Sequence, residues 1–218
     1  MQKIDIHTHN YIENADHLQI YIYDYLNDKE IKTCPTCFGI HPWFIERLDI
    51  KKTLKHIKDS LSHDSFFAFG EIGLDRSIET PLKKQIDILE EQLDIIEQNR
   101  IKKIIIHNVR TSFDLIPILN NFKLNSKILL HDYNDNYKIF KAFEKKFDCY
   151  ISTGKNLFSR ANISKDITKF PIERVFLETD DQTQYNIDDI YSKCASLMNL
   201  SEKEITKRMF ENYKNFNS

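Results

Sequence analysis

Five histidines stand at positions where their imidazole rings could bind metal ions. They follow the carboxyl ends of predicted strands, at His7, His9, His41, His107 and His131. The first two form an H-x-H pair, and because alternate residues of an extended chain point to the same side, both rings can reach one cation. A single strand-end histidine is typically hydrogen-bonded to a loop. Five in equivalent positions favour a metal site.

Two carboxylates occupy the same kind of position. Glu71 lies in the GEIGLD sequence of residues 70–75, and Asp180 ends the LETD sequence of residues 177–180. Together with four of the histidines they exceed the needs of one tetrahedral ion and indicate two divalent cations that share a carboxylate. Nitrogen and oxygen ligands without thiolates fit Mg²⁺, Mn²⁺ or Zn²⁺. The predicted ligands are His7, His9, Glu71, His107, His131 and Asp180.

Such a pair of cations predicts hydrolytic chemistry. Two divalent ions lower the pKa of a bound water and hold the attacking and leaving oxygens of a displacement. Asp180 is the predicted general base for that water as well as a ligand, and Glu71 is the second predicted catalytic residue. Asp5 and Glu178 are predicted to orient the ligands or the substrate.

These side chains need a scaffold that gathers strand ends. Eight short β-rich runs alternate with amphipathic segments, at 3–6, 18–23, 36–40, 66–70, 103–107, 127–131, 148–152 and 174–178. Several are continuously apolar, which indicates strands buried on both faces of a parallel sheet. Eight β/α units predict a TIM-like (β/α)8 barrel, whose strand ends open onto one face. A doubly wound open sheet is the alternative, although no nucleotide-binding glycine motif supports it.

The segments between the strands read as helices. Thr80 and Pro81 supply an N-cap and a first-turn proline to a helix whose apolar residues recur at steps of three and four. Ser201 and Glu204 form a capping box before the last helix. No Pro/Gly/Ser-rich linker and no repeat of fixed period occurs, so one domain over residues 1–218 is predicted.

Composition narrows the setting in which this chemistry could take place. The 31 Lys and Arg residues nearly balance 33 Asp and Glu residues, for a formal net charge of -2. A phosphate-bearing substrate would therefore be held locally, by metals or by a few cations. There is no apolar run of about 20 residues and no secretory signal, so we expect a cytoplasmic monomer without a membrane partner.

The four glycines all fall at or near predicted strand ends. They are Gly39, Gly70, Gly73 and Gly154, in a chain where average usage would supply roughly 15. Glycine allows tight turns and close backbone approach. Their positions indicate the same face of the barrel as the candidate ligands.

The chain resembles the TatD family of metal-dependent hydrolases, in the amidohydrolase superfamily, over essentially its whole length. The matching sequences are DIHTH at 5–9, GIHP at 39–42, GEIGLD at 70–75, IIH at 105–107 with Arg110, LLH at 129–131 and LETD at 177–180. Gln85, Gln92 and Asn212 also match. The GEIGLD and ETD elements, in this order with these histidines, are specific to the family.

The resemblance implies a TIM-like barrel and divalent-metal phosphodiester hydrolysis, with DNA as substrate, cleaved exonucleolytically from single strands or DNA ends. It implies metal ligation by the six residues named above. It also places His41 and Arg110 near the substrate phosphate, and Glu178 is included among the predicted substrate-binding residues. Two metal ions (Mg²⁺, Mn²⁺ or Zn²⁺) are the implied cofactors.

The sequence departs from the family pattern in three places. The segment between His9 and Pro35 is short, residues 132–135 (DYND) replace an aromatic followed by Ser-Gly, and Asp181 follows Asp180 in place of a run into proline. The predicted metal site is intact, whereas the substrate contacts differ.

Two other functions remain open from the sequence. One is a hydrolase of the same superfamily that acts on another ester, an amide or a lactone; a carboxylated lysine is common there, and Glu71 in its place favours phosphodiesters. The other is a metal-stabilised protein without catalytic activity, against which the complete ligand set argues.

The sequence has two further features that could take part in chemistry, a cysteine pair and a tryptophan. Cys34 and Cys37 form a C-x-x-C pair that lacks a second pair for zinc and is interpreted as structural. Trp43 could stack on a base or cover the barrel rim.

Overall fold

The strands form one parallel sheet in chain order. The structure, a computed structural model, describes residues 1–13, 15–159 and 161–218. Its eight-stranded sheet has the order β1 to β8, and every described register is parallel. The strands are β1 (Ile4–Thr8), β2 (Leu18–Ile22), β3 (Thr36–Phe38), β4 (Phe66–Asp75), β5 (Lys103–Val109), β6 (Lys127–Leu130), β7 (Asp148–Thr153) and β8 (Val175–Leu177). A doubly wound sheet would break this sequential order, so the predicted TIM-like (β/α)8 fold is confirmed.

Helices separate most of the strands and close the chain. They are α1 (Ile50–Ser60), α2 (Leu82–Asn99), α3 (Ser112–Asn120), α4 (Tyr137–Glu144), α5 (Asn162–Asp166), α6 (Ile187–Met198) and α7 (Glu202–Asn217). The predicted capping box of Ser201 and Glu204 opens α7. Within the described residues, no helix combines the length and apolar character needed to cross a membrane.

The chain divides into two compact units. The first comprises Met1–Tyr21, Leu130–Lys145 and Cys149–Ser218, and the second comprises Ile22–Leu129 and Lys146–Asp148. A single domain over residues 1–218 stays a prediction.

In the first unit, backbone hydrogen bonds tie the end of β1 to the residues after β8. The Asp180 amide donates to the His7 carbonyl at 2.9 Å, and the His9 amide donates to the Asp180 carbonyl at 3.1 Å. At the other end of β1, the buried hydroxyl of Tyr191 on α6 donates to the Ile4 carbonyl at 3.0 Å and accepts from the Ile4 amide at 2.9 Å. These bonds hold β1 at both ends, so the position of its two histidines is fixed by the backbone.

In the second unit, two buried amide side chains of α2 hold strand-end backbone. Gln92 accepts from the Ile40 amide at 2.6 Å and donates to the Ile40 carbonyl at 3.2 Å. Gln85 does the same with Asp75, at 2.8 and 2.9 Å. Gln92 therefore holds the backbone next to His41, and Gln85 holds the backbone at the end of β4. Both side chains supply hydrogen-bond partners to buried backbone groups.

Strand β4 continues past the predicted end at Gly70 to Asp75 because its glycines allow an unusual extended path. Gly73 has φ +148°, pairs with His107, and a Cβ placed on it would lie 2.0 Å from the His107 carbonyl oxygen. Only glycine permits this approach. The close contact sets the spacing of β4 and β5 where each carries a candidate ligand.

Candidate metal centre

In the second unit, donor atoms of His41, Glu71 and His107 all lie within 4.8 Å of one another. We name these three residues with Asp75 the Glu71 cluster. Glu71 lies within β4 and is 1% exposed, His107 lies on β5, and His41 follows β3. The Glu71 Oε1 atom is 2.9 Å from Nε2 of His41 and 2.8 Å from Nδ1 of His107. One carboxylate oxygen thus faces two imidazoles from neighbouring strands.

The hydrogen bonds of His41 assign its tautomer. Its Nδ1 accepts the backbone N–H of Trp43 at 3.1 Å, as the N-cap of the 3-10 turn Pro42–Phe44. A nitrogen that accepts carries no proton, so the ring proton lies on Nε2 and is donated to Glu71. His41 in this arrangement is a hydrogen-bond donor to the carboxylate.

Asp75 fixes the orientation of His107. Nε2 of His107 donates to Asp75 Oδ2 at 3.0 Å, and the indole N–H of Trp43 donates to the same oxygen at 2.7 Å. Burial raises the pKa of Asp75, but hydrogen bonds from His107, Ser77 and Trp43 outweigh it, and the net pKa is lowered. Burial likewise opposes charge on His107, yet the bonds to Asp75 and Glu71 raise its pKa to about 9. A carboxylate behind a ligating histidine is the usual means of orienting the ring.

In the first unit, donor atoms of His7, His131 and Glu178 lie within 4.8 Å of one another. We name these residues, with His9 and Asp180, the Asp180 cluster. The rings of His7 and His131 stack with centroids 4.1 Å apart and planes at 10°. Nε2 of His7 and of His9 lie 3.6 and 3.8 Å from Asp180 Oδ1. The H-x-H pair therefore turns both rings toward one carboxylate, as its extended spacing requires.

Asp5 holds the segment that carries Asp180. Its two carboxylate oxygens accept from the backbone N–H and the hydroxyl of Thr179, at 2.9 and 2.6 Å. Burial raises the pKa of Asp5 to about 6, against the lowering effect of these bonds. Asp5 is 2% exposed and contacts the residue before Asp180, which is the geometry of an orienting residue.

Glu178 is fully buried, with 0% exposure. Its Oε1 accepts the backbone N–H of Asp132 at 2.5 Å. Burial raises its pKa well above the ordinary range, and the neighbouring carboxylates of Asp180 and Asp132 raise it further. Because Glu178 is not exposed, it could affect a substrate only through the residues that surround it.

Sequence reasoning assigned no role to Lys155, whose ammonium lies 3.0 Å from Asp180 Oδ2. It directly follows Gly154 at the end of β7, so the same strand-end criterion that found the histidines would have found it. Asp75 ends the GEIGLD sequence. Its role depends on which nitrogen of His107 it faces, and the sequence carries no sign of that.

The remaining candidate residues lie around the second unit. Arg110 is exposed just after β5, in the left-handed region with φ +57°. Trp43 is 49% exposed while its N–H is held by Asp75, so one edge is fixed and much of the ring faces solvent. Cys34 and Cys37 are free thiols, with Cys37 buried.

Both clusters suit a divalent cation by their donor chemistry. Each brings imidazole nitrogens and a carboxylate oxygen within 4.8 Å, on buried side chains where water competes poorly. No thiolate is among these groups, and such nitrogen and oxygen sets fit Zn²⁺, Mn²⁺ or Mg²⁺. The described residues can therefore hold metal in each unit.

A family comparison covers almost the entire chain. The model described as "TatD related DNase" matches residues 4–218. No curated protein matches the sequence significantly.

Solved structures with the same fold cover nearly all of this chain and of themselves. YJJV, a TatD homologue from Escherichia coli K12, has a TM-score of 0.81 at 20% identity, covering 99% of this chain and 97% of its own. A hydrolase TatD family protein from Entamoeba histolytica has a TM-score of 0.75 at 16% identity, with 99% and 98% covered. An uncharacterized amidohydrolase from Saccharomyces cerevisiae has a TM-score of 0.74 at 14% identity, with 99% of each chain covered.

Proposed function

The chain belongs to the TatD-related DNase family, and from this premise we propose that it is a divalent-metal-dependent deoxyribonuclease. The reaction is hydrolysis of phosphodiester bonds, exonucleolytic, on single-stranded DNA or DNA ends. The observation that carries the proposal is the pair of buried imidazole and carboxylate clusters at the strand ends, in a chain that matches the family over residues 4–218.

The proposed metal ligands are the six residues expected from the sequence: His7, His9, Glu71, His107, His131 and Asp180. Two divalent ions bound there would supply Lewis acidity and a water of lowered pKa. Two further carboxylates orient these ligands: Asp75 holds His107, and Asp5 holds the backbone next to Asp180.

Asp180 is the proposed general base. Its Oδ1 atom faces His7 and His9, so a water bound on that side lies within reach of a carboxylate oxygen that can accept its proton. Glu71 is the second proposed catalytic residue, because its Oε1 lies between two imidazoles and its charge is removed from solvent. Catalysis without a covalent enzyme intermediate follows from a water nucleophile.

Arg110 and His41 are the proposed phosphate contacts. Arg110 is exposed just after β5, and its guanidinium group matches the geometry of phosphate oxygens. His41 holds a proton on Nε2 and lies at the edge of the Glu71 cluster. A local cation such as Arg110 is needed because the formal net charge of the chain is -2. Glu178, fully buried within the first unit, would act on substrate indirectly.

A second candidate function is hydrolysis of another ester, an amide or a lactone. The structural similarity to the yeast protein named an amidohydrolase favours considering it. The two clusters would activate water in either reaction, so the substrate assay decides between them.

The test compares substrates on one metal-loaded preparation. The protein is stripped with a chelator, reloaded with Mn²⁺, and incubated with end-labelled single-stranded DNA, duplex DNA, and chromogenic amide and lactone substrates. We expect metal-dependent shortening of the single strand from one end, abolished in Asp180→Asn. Intact DNA beside rapid turnover of an amide or a lactone would establish the second candidate instead.

A further inference from the structure

A lysine-centred group of charges adjoins the proposed general base. The Lys155 ammonium lies 3.0 Å from Asp180 Oδ2, 3.5 Å from Asp132 Oδ2 and 3.5 Å from Asp181 Oδ1. We name these four residues the Lys155 cluster. Asp132 is itself held in place, because its Oδ1 accepts the side-chain N–H of Asn156 at 2.8 Å. One ammonium group thus lies within 3.5 Å of three carboxylates.

Two of these carboxylates are departures from the TatD pattern. Asp132 stands directly after His131, where an aromatic residue is common, and Asp181 follows Asp180 in place of the run toward a proline. Separated by many residues in sequence, they meet at Lys155 in the structure. Each departure adds a negative charge next to a proposed metal ligand, and Lys155 lies close to both aspartates. The two aspartates and the lysine therefore form one electrostatic arrangement.

The charges explain why the ammonium is held firmly. Partial burial opposes its charge, but the carboxylates of Asp132 and Asp180 outweigh that effect and raise the pKa of Lys155. Burial raises the pKa of Asp132, with Lys155 acting in the opposite direction. Without Lys155, three like charges would remain close together, one of them on a proposed metal ligand.

We propose that Lys155 is a positioning residue that competes with divalent metal for Asp180. It binds Oδ2 of Asp180, which leaves Oδ1 directed toward His7 and His9, and it opposes the arrival of a second cation at the same carboxylate. The inference rests on the proposed function in one respect, that Asp180 is a metal ligand. Its consequence is a metal affinity set below the value that the ligands alone would give.

The test measures Mn²⁺ binding to the metal-stripped full chain, by calorimetry and by the loss of the free-ion spin-resonance signal. We expect Lys155→Met to bind Mn²⁺ about tenfold more tightly, because a unit charge a few Å from a ligand opposes the ion. Lys155→Arg keeps the charge and is expected to stay near wild type. Lys169→Met, which removes an exposed lysine paired with Asp166 in the same unit, is the matched control and should change nothing.

Melting curves guard against a folding defect. Metal-free Lys155→Met is expected to melt below wild type because its carboxylates repel, and Mn²⁺ is expected to raise its melting temperature more than that of wild type. If Lys155→Met does not fold, Lys155→Gln takes its place in both measurements. A purely structural lysine predicts weaker Mn²⁺ binding on removal, and equal or weaker binding would overturn the inference. Absence of Mn²⁺ binding by every variant would overturn the proposed function as well.

Discussion

In the Glu71 cluster the carboxylates pair with a histidine of the ligand set, whereas in the Asp180 cluster the close cation, Lys155, lies outside the ligand set. His107 lies between Glu71 and Asp75 at 2.8 and 3.0 Å, and its pKa is raised to about 9. In the other cluster the histidines stand 3.6 and 3.8 Å from Asp180, and the close cation is the ammonium of Lys155.

The two clusters differ in how their ligand side chains are held in position before a metal ion binds. The Asp75 carboxylate accepts four hydrogen bonds, from His107, Trp43 and both the N–H and the hydroxyl of Ser77, so the His107 ring is oriented before any ion binds. Asp180 is oriented by its backbone bonds and by the ammonium of Lys155. Removing a hydrogen bond that orients a ligand should therefore lower the metal affinity of the Glu71 cluster. Removing the competing ammonium should raise the metal affinity of the Asp180 cluster.

The largest effect is expected from Asp180→Asn. The amide keeps the size of the side chain and cannot accept the proton, so hydrolysis should fall by about 10³-fold. Steady-state assays on end-labelled DNA measure this, with circular dichroism to verify folding. Asp188→Asn, an exposed aspartate paired with Lys3 in the same unit, is the control. A variant that retains the wild-type rate would exclude Asp180 as the base.

Asp75→Asn tests the oriented cluster. Because an amide holds the imidazole of His107 less firmly, we expect metal affinity and activity to fall about 10 to 100-fold. This is the opposite direction from Lys155→Met, so the two variants measured side by side separate the mechanisms. Asp114→Asn, at a half-buried partner of Arg76 in the same unit, controls for loss of charge. Unchanged affinity in Asp75→Asn would remove the contrast between the clusters.

Trp43 is the candidate contact for substrate bases beside the Glu71 cluster. It is the only tryptophan in the chain, and base stacking on an aromatic ring contributes about 1–3 kcal/mol per base. We expect single-stranded DNA to quench its fluorescence, and Trp43→Ala to raise the KM for DNA about tenfold with a smaller change in kcat. An oligonucleotide without bases is the control ligand. Quenching by that ligand to the same extent would show that the ring covers the rim and does not stack on bases.

The smallest effect concerns the other end of β5, where charge is disfavoured. Burial lowers the pKa of Lys103 to about 8, although its ammonium lies 3.9 Å from the centre of the Phe67 ring. Between pH 8 and 10.5 the unfolded chain binds more protons at this lysine, so its contribution to stability rises with pH. Relative to Lys103→Met, wild type should gain on the order of 1 kcal/mol over this range, discounted for the partly exposed ammonium. Denaturant unfolding at a series of pH values measures it, and parallel curves would contradict it.

The strands could be predicted because they are short runs rich in apolar and β-branched residues, and several are followed directly by a candidate site residue. The extension of β4 to Asp75 was missed, since two glycines within six residues read as a turn. Here they allow an extended strand that lies against the β5 backbone. Local composition cannot distinguish a turn from a continued strand, because the outcome depends on the space beside the neighbouring strand.

The candidate ligands were predictable from residue type and position at strand ends, and each cluster gathers those of its own unit. The strand-end position of Lys155 was readable in the same way, but its role was not, because its partners Asp132 and Asp181 come from other loops and a lone lysine matches no motif. The roles of individual atoms were also beyond reach. Which nitrogen of His41 carries its proton depends on a backbone N–H that only the folded turn provides.

The missing side chain at Gly73 limits how this enzyme could be redesigned. A methyl group there would lie 2.0 Å from the His107 carbonyl oxygen, so any other residue must push β5 and its histidine away from Glu71. Libraries intended to change substrate preference can vary Arg110, Trp43 or the 132–135 segment while this position stays glycine. Directed evolution of the chain would therefore have freedom in its loops and almost none in the spacing between these two strands.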